Sequence, residues 1–298
     1  MNLRLGINCG FAINRYVEPE EWTRIVGEEL RLKYVQFVAD LLNPFLPKDY
    51  IENQINRIKL SCERYGVLIE TSFTSAYTRV NHLMHPDKRA REIWLSWFKE
   101  FFNISRELGA ISSGSHFGTL TFADYNNPVI REERIEQGVK GWQELTHFAK
   151  KIGFEYLVFE PMSIPREMAT TVEESLELME RVNEDCGVPL RICLDIGHAP
   201  DPDQRDPYFW IRKLGKFSPI IHLQQTVLHK SYHWPFTKRY NELGIIQAEK
   251  VLKSLDESGA EKALLVFEIS HREHHDTDYR VIEDLKESID YWRGYIKE

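Results

Sequence analysis

Eight short apolar runs punctuate the chain: LRLGINC from Leu3, YVQFVA from Tyr34, VLIETSF from Val67, AISSGSHF from Ala110, YLVFE from Tyr156, RICLD from Arg191, PIIHLQQ from Pro219 and ALLVFEI from Ala263. Each is short, and rich in branched or aromatic residues, as buried parallel strands are. The intervening stretches 19–30, 49–65, 87–108, 131–152, 172–186, 207–214, 245–258 and 279–296 place apolar residues at helical spacing. Gly66, Gly109, Gly153, Gly187 and Gly259 follow five of these stretches, where a left-handed residue would end a helix. Eightfold strand-then-helix alternation predicts an α/β fold, the (β/α)₈ TIM barrel. A doubly wound open sheet would carry a glycine-rich phosphate turn after its first strand, and this chain has CGFAINRYVEP there. No linker or composition shift divides the sequence, so one domain over 1–298 is expected.

Composition narrows the picture. The 298 residues are 42% hydrophobic and 12% aromatic, enough for a large packed core and too apolar for disorder. A formal net charge of −8 argues against a nucleic-acid partner, and no apolar run reaches the roughly 20 residues that cross a bilayer. The opening MNLRLGINCGF reads as a first strand rather than a secretion signal, which predicts a cytoplasmic protein. Cys9, Cys62, Cys186 and Cys193 show no CxxC spacing and are expected to be reduced thiols.

The candidate chemistry lies where the apolar runs end. Glu160, Asp195, His222 and Glu268 each close or nearly close one of the last four, and such groups are costly to bury unless paired or bound to a metal. The C-terminal strand ends of a barrel converge on one mouth, so the four are predicted to share one divalent cation. Three carboxylates and one imidazole suit Mn²⁺ first, with Mg²⁺ or Co²⁺ as alternatives, over a structural zinc. A cation that chelates a carbonyl and its neighbouring hydroxyl makes the carbon-bound proton removable. Glu160 and Glu268 would then be the catalytic pair, one taking the proton and one returning it. Return to the same carbon gives an epimer, and to its neighbour an aldose–ketose isomer; the residues leave both open. His198, three residues after Asp195, and His116, in SSGSHF, are expected to contact substrate, with Glu70 as a weaker candidate. Arg166 and Lys230 are candidates for holding a phosphate or terminal hydroxyl, as are His229 and Lys238, against the plainer reading of each as a solvated charge. His271 is placed at the mouth, and His274 and His275 in a solvated loop. The stretch 224–244 is expected to be a substrate-covering lid, or else a surface loop stapled by its aromatics.

The segments FEPM, LDIGH, IHLQQT and FEIS together resemble the xylose-isomerase-like TIM-barrel family, most closely its ketose 3-epimerase and sugar-phosphate isomerase/epimerase branches. The resemblance implies Mn²⁺ or a similar ion on Glu160, Asp195, His222 and Glu268, the two Glu as acid and base, and His198 on the substrate. It also implies a small sugar or sugar phosphate as substrate and a homodimer or homotetramer. Ketose 3-epimerases acting on free hexuloses carry an arginine where this chain has Leu228, so substrate contacts are expected to differ. HLQQT, HWPFT and EISHRE are similar to branches handling short or branched sugars, including erythrulose-phosphate epimerases and apiose isomerases. Endonuclease IV belongs to the same superfamily, but its Asp-x-His pair is replaced here by VLHKSYH, and SFTS supplies no histidine. A metal-dependent hydrolase or lyase is the alternative enzyme class.

Overall fold

The computed structural model describes residues 1–198, 205–271 and 280–296. Strands β1 (Asn2–Asn8), β2 (Tyr34–Val38), β3 (Leu68–Phe73), β4 (Ser112–His116), β5 (Tyr156–Glu160), β6 (Leu190–Asp195), β7 (Ile220–Leu223) and β8 (Lys262–Phe267) run parallel in sequence order and close into a barrel. Closure comes from β1 on β8, from Asn2↔Lys262 to Ile7↔Phe267. Each apolar run of the sequence supplies one strand. The helices are α1 (Pro19–Arg24), α2 (Lys48–Tyr65), α3 (Lys88–Glu107), α4 (Phe122–Tyr125), α5 (Pro128–Ile152), α6 (Val172–Asn183), α7 (Pro207–Leu214), α8 (Lys238–Leu243), α9 (Ala248–Ser258) and α10 (Val281–Arg293). Among the described residues no helix is long and apolar enough to cross a membrane, and the four cysteines are free thiols.

Strand alternation sorts the apolar residues into two cores. Leu157, Phe159, Ile192, Leu194, Ile221, Leu223, Leu265 and Phe267 face outward and pack with the helices, while Phe73, Val158, Cys193, Ile220, Leu264 and Val266 fill the barrel interior. Continuing the inward-facing parity by one step leads from Val158 to Glu160, Cys193 to Asp195, Ile220 to His222 and Val266 to Glu268. The alternation that builds the interior core therefore delivers the four polar residues to its upper rim. The α3 aromatics Trp97, Phe98 and Phe101 are buried in the outer core, with Trp94 partly buried against it.

Two details depart from the sequence pattern. The β2–β3 register steps from Val35↔Ile69 to Gln36↔Thr71, leaving Glu70 as an extra, bulged residue. Glu70 makes a two-pronged ion pair with Arg4 toward the opposite end of the barrel, so it is structural. Gly66, Gly109, Gly153 and Gly259 take positive φ at helix ends, as expected, but Gly187 does not. Helix α6 ends at Asn183 with a right-handed Glu184 after it. Gly187 is needed instead for a close approach: a Cβ there would stand 2.5 Å from His147 Cα and 2.6 Å from the Thr146 carbonyl of α5.

Candidate metal centre

His222 is the hub. Its Nδ1 lies 3.0 Å from Glu160 Oε1 and 3.2 Å from Glu268 Oε2. On the other side of the ring, Nε2 faces Gln36 Oε1 at 2.8 Å, and Asn8 Nδ2 donates to the same oxygen at 2.7 Å. An Nε2–H directed at Gln36 would leave Nδ1 free to exchange its proton, which faces the two carboxylates, for a cation held among them. Asp195 closes the ring, its two oxygens each accepting from Gln224 Nε2 at 2.9 Å and Oδ1 also from the Gly197 amide at 2.6 Å. Gly197 is needed because a Cβ would stand 2.3 Å from the Gln224 carboxamide. One ligand atom each from Glu160, Asp195, His222 and Glu268 lies within 4.8 Å of the others.

The electrostatics suit a bound cation. Burial, followed by the charge of Glu268, raises the pKa of Glu160. Burial opposes the charge on His222, but Cys193, Glu268 and Glu160 outweigh it and hold its pKa well above the ordinary value. Burial also opposes ionisation of Glu268, and His222 overcomes it, taking that carboxyl well below the usual range. Even a charged imidazole leaves three carboxylates undercompensated, so a divalent ion fits the donor set in both charge and oxygen preference.

Three more histidines surround the ring. His198 Nε2 is 3.8 Å from Asp195 Oδ2 and its Nδ1 3.9 Å from Glu160 Oε1, with no hydrogen bond to Nδ1 among the described residues. His116 Nε2 is 3.5 Å from Glu160 Oε2. Burial and then the charge of Arg79 push the His116 pKa down to about 3. His233 Nδ1 is 3.5 Å from Glu268 Oε2 and 4.0 Å from Asp195 Oδ2.

The structure thus brings together Glu160, Asp195, His222, Glu268, His198 and His116. Arg166 stands apart, in the loop after β5, with Nη1 donating to the Leu120 carbonyl at 2.8 Å. Lys230 is exposed on the loop after β7, and His229 Nε2 contacts Arg205 at 3.0 Å. His271 lines a cavity of about 340 Å³ beside Glu268 and contacts Asp284 at 3.2 Å through Nε2; His274 and His275 fall outside the described residues. A larger cavity, about 1080 Å³, opens around Arg4, Tyr34 and Glu70, away from the ring. The 224–244 stretch is stapled by its aromatics, as Gln225 bridges Trp234 and Trp234 stacks between Tyr232 and Tyr240 at 4.5 and 4.7 Å, and it also reaches the ring through Gln224 and His233.

Gln36, Gln224 and His233 were not singled out in the sequence as site residues. Gln224 continues the Ile220–His222 alternation and Gln36 is the polar member of YVQFVA, so each left a signal. His233 opens the HWPFT segment of the resemblance but left no periodic signal, because its place depends on the bridge that folds the loop back.

A closed parallel barrel with carboxylates and an imidazole on the rim of its last four strands defines a class, and the sequence profile agrees. The xylose isomerase-like TIM barrel profile matches residues 28–295, and the chain belongs to that family. Among particular relatives, it is 35% identical over 301 residues to the D-erythrulose 1-phosphate 3-epimerase of Brucella abortus (strain 2308), covering 99% of this chain and 97% of that protein. The crystal structure of D-psicose 3-epimerase from Clostridium cellulolyticum H10 with D-tagatose superposes with a TM-score of 0.75 at 14% identity, covering 99% of this chain and all of that one. Another D-psicose 3-epimerase structure, with D-fructose, gives a TM-score of 0.74 at 15% identity over 98% of each chain. The chain is an enzyme of the sugar-phosphate epimerase-like kind, and its buried carboxylate and histidine group is able to hold a metal.

Proposed function

We propose that the chain is a divalent-metal-dependent 3-epimerase of a short ketose phosphate, with Glu160 and Glu268 as the proton carriers. The observation that carries this reading is the placement of those two carboxylates on one imidazole, 3.0 and 3.2 Å from His222 Nδ1. They come from strands separated by β6 and β7, so they approach a substrate in the mouth from different sides. The 35% identity to a sugar-phosphate 3-epimerase favours return of the proton to the same carbon, hence epimerisation over aldose–ketose isomerisation.

Glu160, Asp195, His222 and Glu268 would hold the ion, with Mn²⁺ the best match. The bound ion supplies Lewis-acid polarisation of a carbonyl and its neighbouring hydroxyl. One glutamate, ionised, removes the proton from the carbon that bears that hydroxyl, giving a cis-enediolate, and the other, protonated beforehand, delivers its proton to the opposite face of the same carbon. Glu160 is buried at the rim, where the low dielectric strengthens its action on the reacting carbon, while Glu268, 22% exposed, borders the cavity through which substrate would enter. His198 and His116 are placed to meet substrate oxygens. Arg166 and Lys230, on flanking loops, are proposed for the outer end of the substrate.

The test is proton exchange in D₂O, using Mn²⁺-reconstituted protein with free and phosphorylated ketotetroses, ketopentoses and ketohexoses. Deuterium should enter at C3 with formation of the 3-epimer and no change of product mass apart from the label. Glu160→Gln and Glu268→Gln should each lower turnover by about 10²–10⁴-fold, with bound metal measured alongside to separate loss of the base from loss of the ion. Full activity in either variant would overturn the mechanism. A product of different mass would point to the hydrolase or lyase class.

A further inference from the structure

Resting on the ketose-phosphate reading above, we propose that Arg79 anchors the phosphate of the substrate, in a preformed anion subsite over the β3–β5 sector of the mouth. Arg79 lies in the loop after β3. Its Nε and Nη2 donate to Glu167 Oε1 and Oε2 at 2.9 and 2.7 Å, and Glu167 lies in the loop after β5. Since β4 runs between those strands, the pair spans the end of β4, where His116 faces Glu160. Glu167 is buried, whereas the Arg79 side chain is 42% exposed. One face of the guanidinium is thus fixed from inside, while no hydrogen bond from Nη1 is found among the described residues.

The surrounding loop is built to hold that position. Beneath Arg79, Thr74 donates to Ser115 Oγ at 2.8 Å, Thr78 lies 3.0 Å from the same hydroxyl, and Thr78 and Thr74 hydrogen-bond one another. Asn81 donates to the Thr119 carbonyl of the loop after β4. On either side of Arg79, Ser75 and His82 take positive φ of 55° and 31°, a strain that persists only where the surroundings impose it. A second polar group in this sector has unused capacity: Thr119, 9% exposed, has a buried Oγ1 with no partner among the described residues. A guanidinium donating in one plane is suited to phosphate oxygens, and Asn81, two residues after Arg79, ties its loop to the Thr119 backbone.

Charge elsewhere at the mouth favours this sector. The cavity beside Glu268 contains Asp40 as a second carboxylate, and its Arg15 donates to the His271 carbonyl at 2.8 Å. Arg79 instead stands within electrostatic reach of both His116 and Glu160, close to the reacting centre. If the ion pair served only to tie two loops together, substrates with and without phosphate would be affected alike.

Two measurements on the Mn²⁺-loaded full chain decide the matter. In calorimetry, inorganic phosphate should bind the wild type, and Arg79→Gln should weaken that binding at least roughly tenfold. In deuterium exchange, kcat/KM for a ketotetrose phosphate relative to the free ketotetrose should fall about 100-fold in Arg79→Gln, mostly through KM. Glu167→Gln, which loosens the guanidinium without removing it, should show a smaller fall in the same ratio. Equal losses for the two ketoses, or phosphate binding that is absent in the wild type or unchanged in Arg79→Gln, would overturn the proposal. If neither ketose exchanged in the wild type, the epimerase reading would fail, and the calorimetry would still decide the anion site by the same criterion.

Discussion

Gln36 governs which nitrogen of His222 is available to a cation. Its Oε1 faces Nε2 of the imidazole at 2.8 Å and is itself held by Asn8 at 2.7 Å, so the ring is oriented by a chain reaching back to β1. Gln36→Met keeps the length of the side chain and removes the acceptor. Mn²⁺ affinity, measured by calorimetry, should fall roughly 10- to 100-fold, with the circular dichroism of the fold unchanged. Unaltered affinity would show that the carboxylates alone orient the ring. At this scale the sequence was most legible where polarity broke a hydrophobic run: Glu160, Asp195, His222 and Glu268 stood out because nothing apolar explains them. Gln36 and Gln224 followed the same alternation less visibly, since an uncharged amide is an unremarkable guest in a strand. His233 and Arg79 lay beyond such reading, because loop residues have no period and their neighbours are fixed by tertiary contacts.

Strands and turns carry a different kind of information. All eight strands were legible from short apolar runs, yet the bulge at Glu70 was not, because a single extra residue leaves local hydrophobicity unchanged while shifting the register beyond it. Gly187 illustrates the converse error: a glycine soon after a helical stretch reads as a helix exit, whereas here it lets the segment after α6 press on the backbone of α5. Gly187→Ala places a methyl group 2.5 Å from His147 Cα and should cost about 1–3 kcal/mol by overpacking, measured as a lower denaturant midpoint. Gly66→Ala is the matched control for a left-handed helix exit, with φ of 68° and open space around its Cβ. It should cost nearer 1 kcal/mol. An undisturbed Gly187→Ala would mean that the segment simply moves aside.

Across the molecule, the interior of the barrel changes character from base to rim. Leu264, Val158 and Ile220 give way to a ring of carboxylates and histidines, so the upper end of the core is lined by charge that a bound cation would balance. Metal binding should therefore appear in the stability of the entire fold. Free Mn²⁺ at about 100 times its dissociation constant adds about 2.7 kcal/mol, and chelation with EDTA should lower the melting temperature by roughly 5 °C in a chain of this size. Equal melting temperatures with and without chelator would mean that the ring is satisfied internally. An Asp195→Asn variant should lose most of the difference.

The pairing of β1 with β8 has a consequence outside the chemistry. A sheet joined end to end offers no unpaired strand to a neighbour, so recruitment by strand addition, and the fibrous aggregation that begins that way, has no foothold on the intact barrel. Whatever this protein associates with, including a second copy of itself, must be met by the helical shell or by the loops at either mouth.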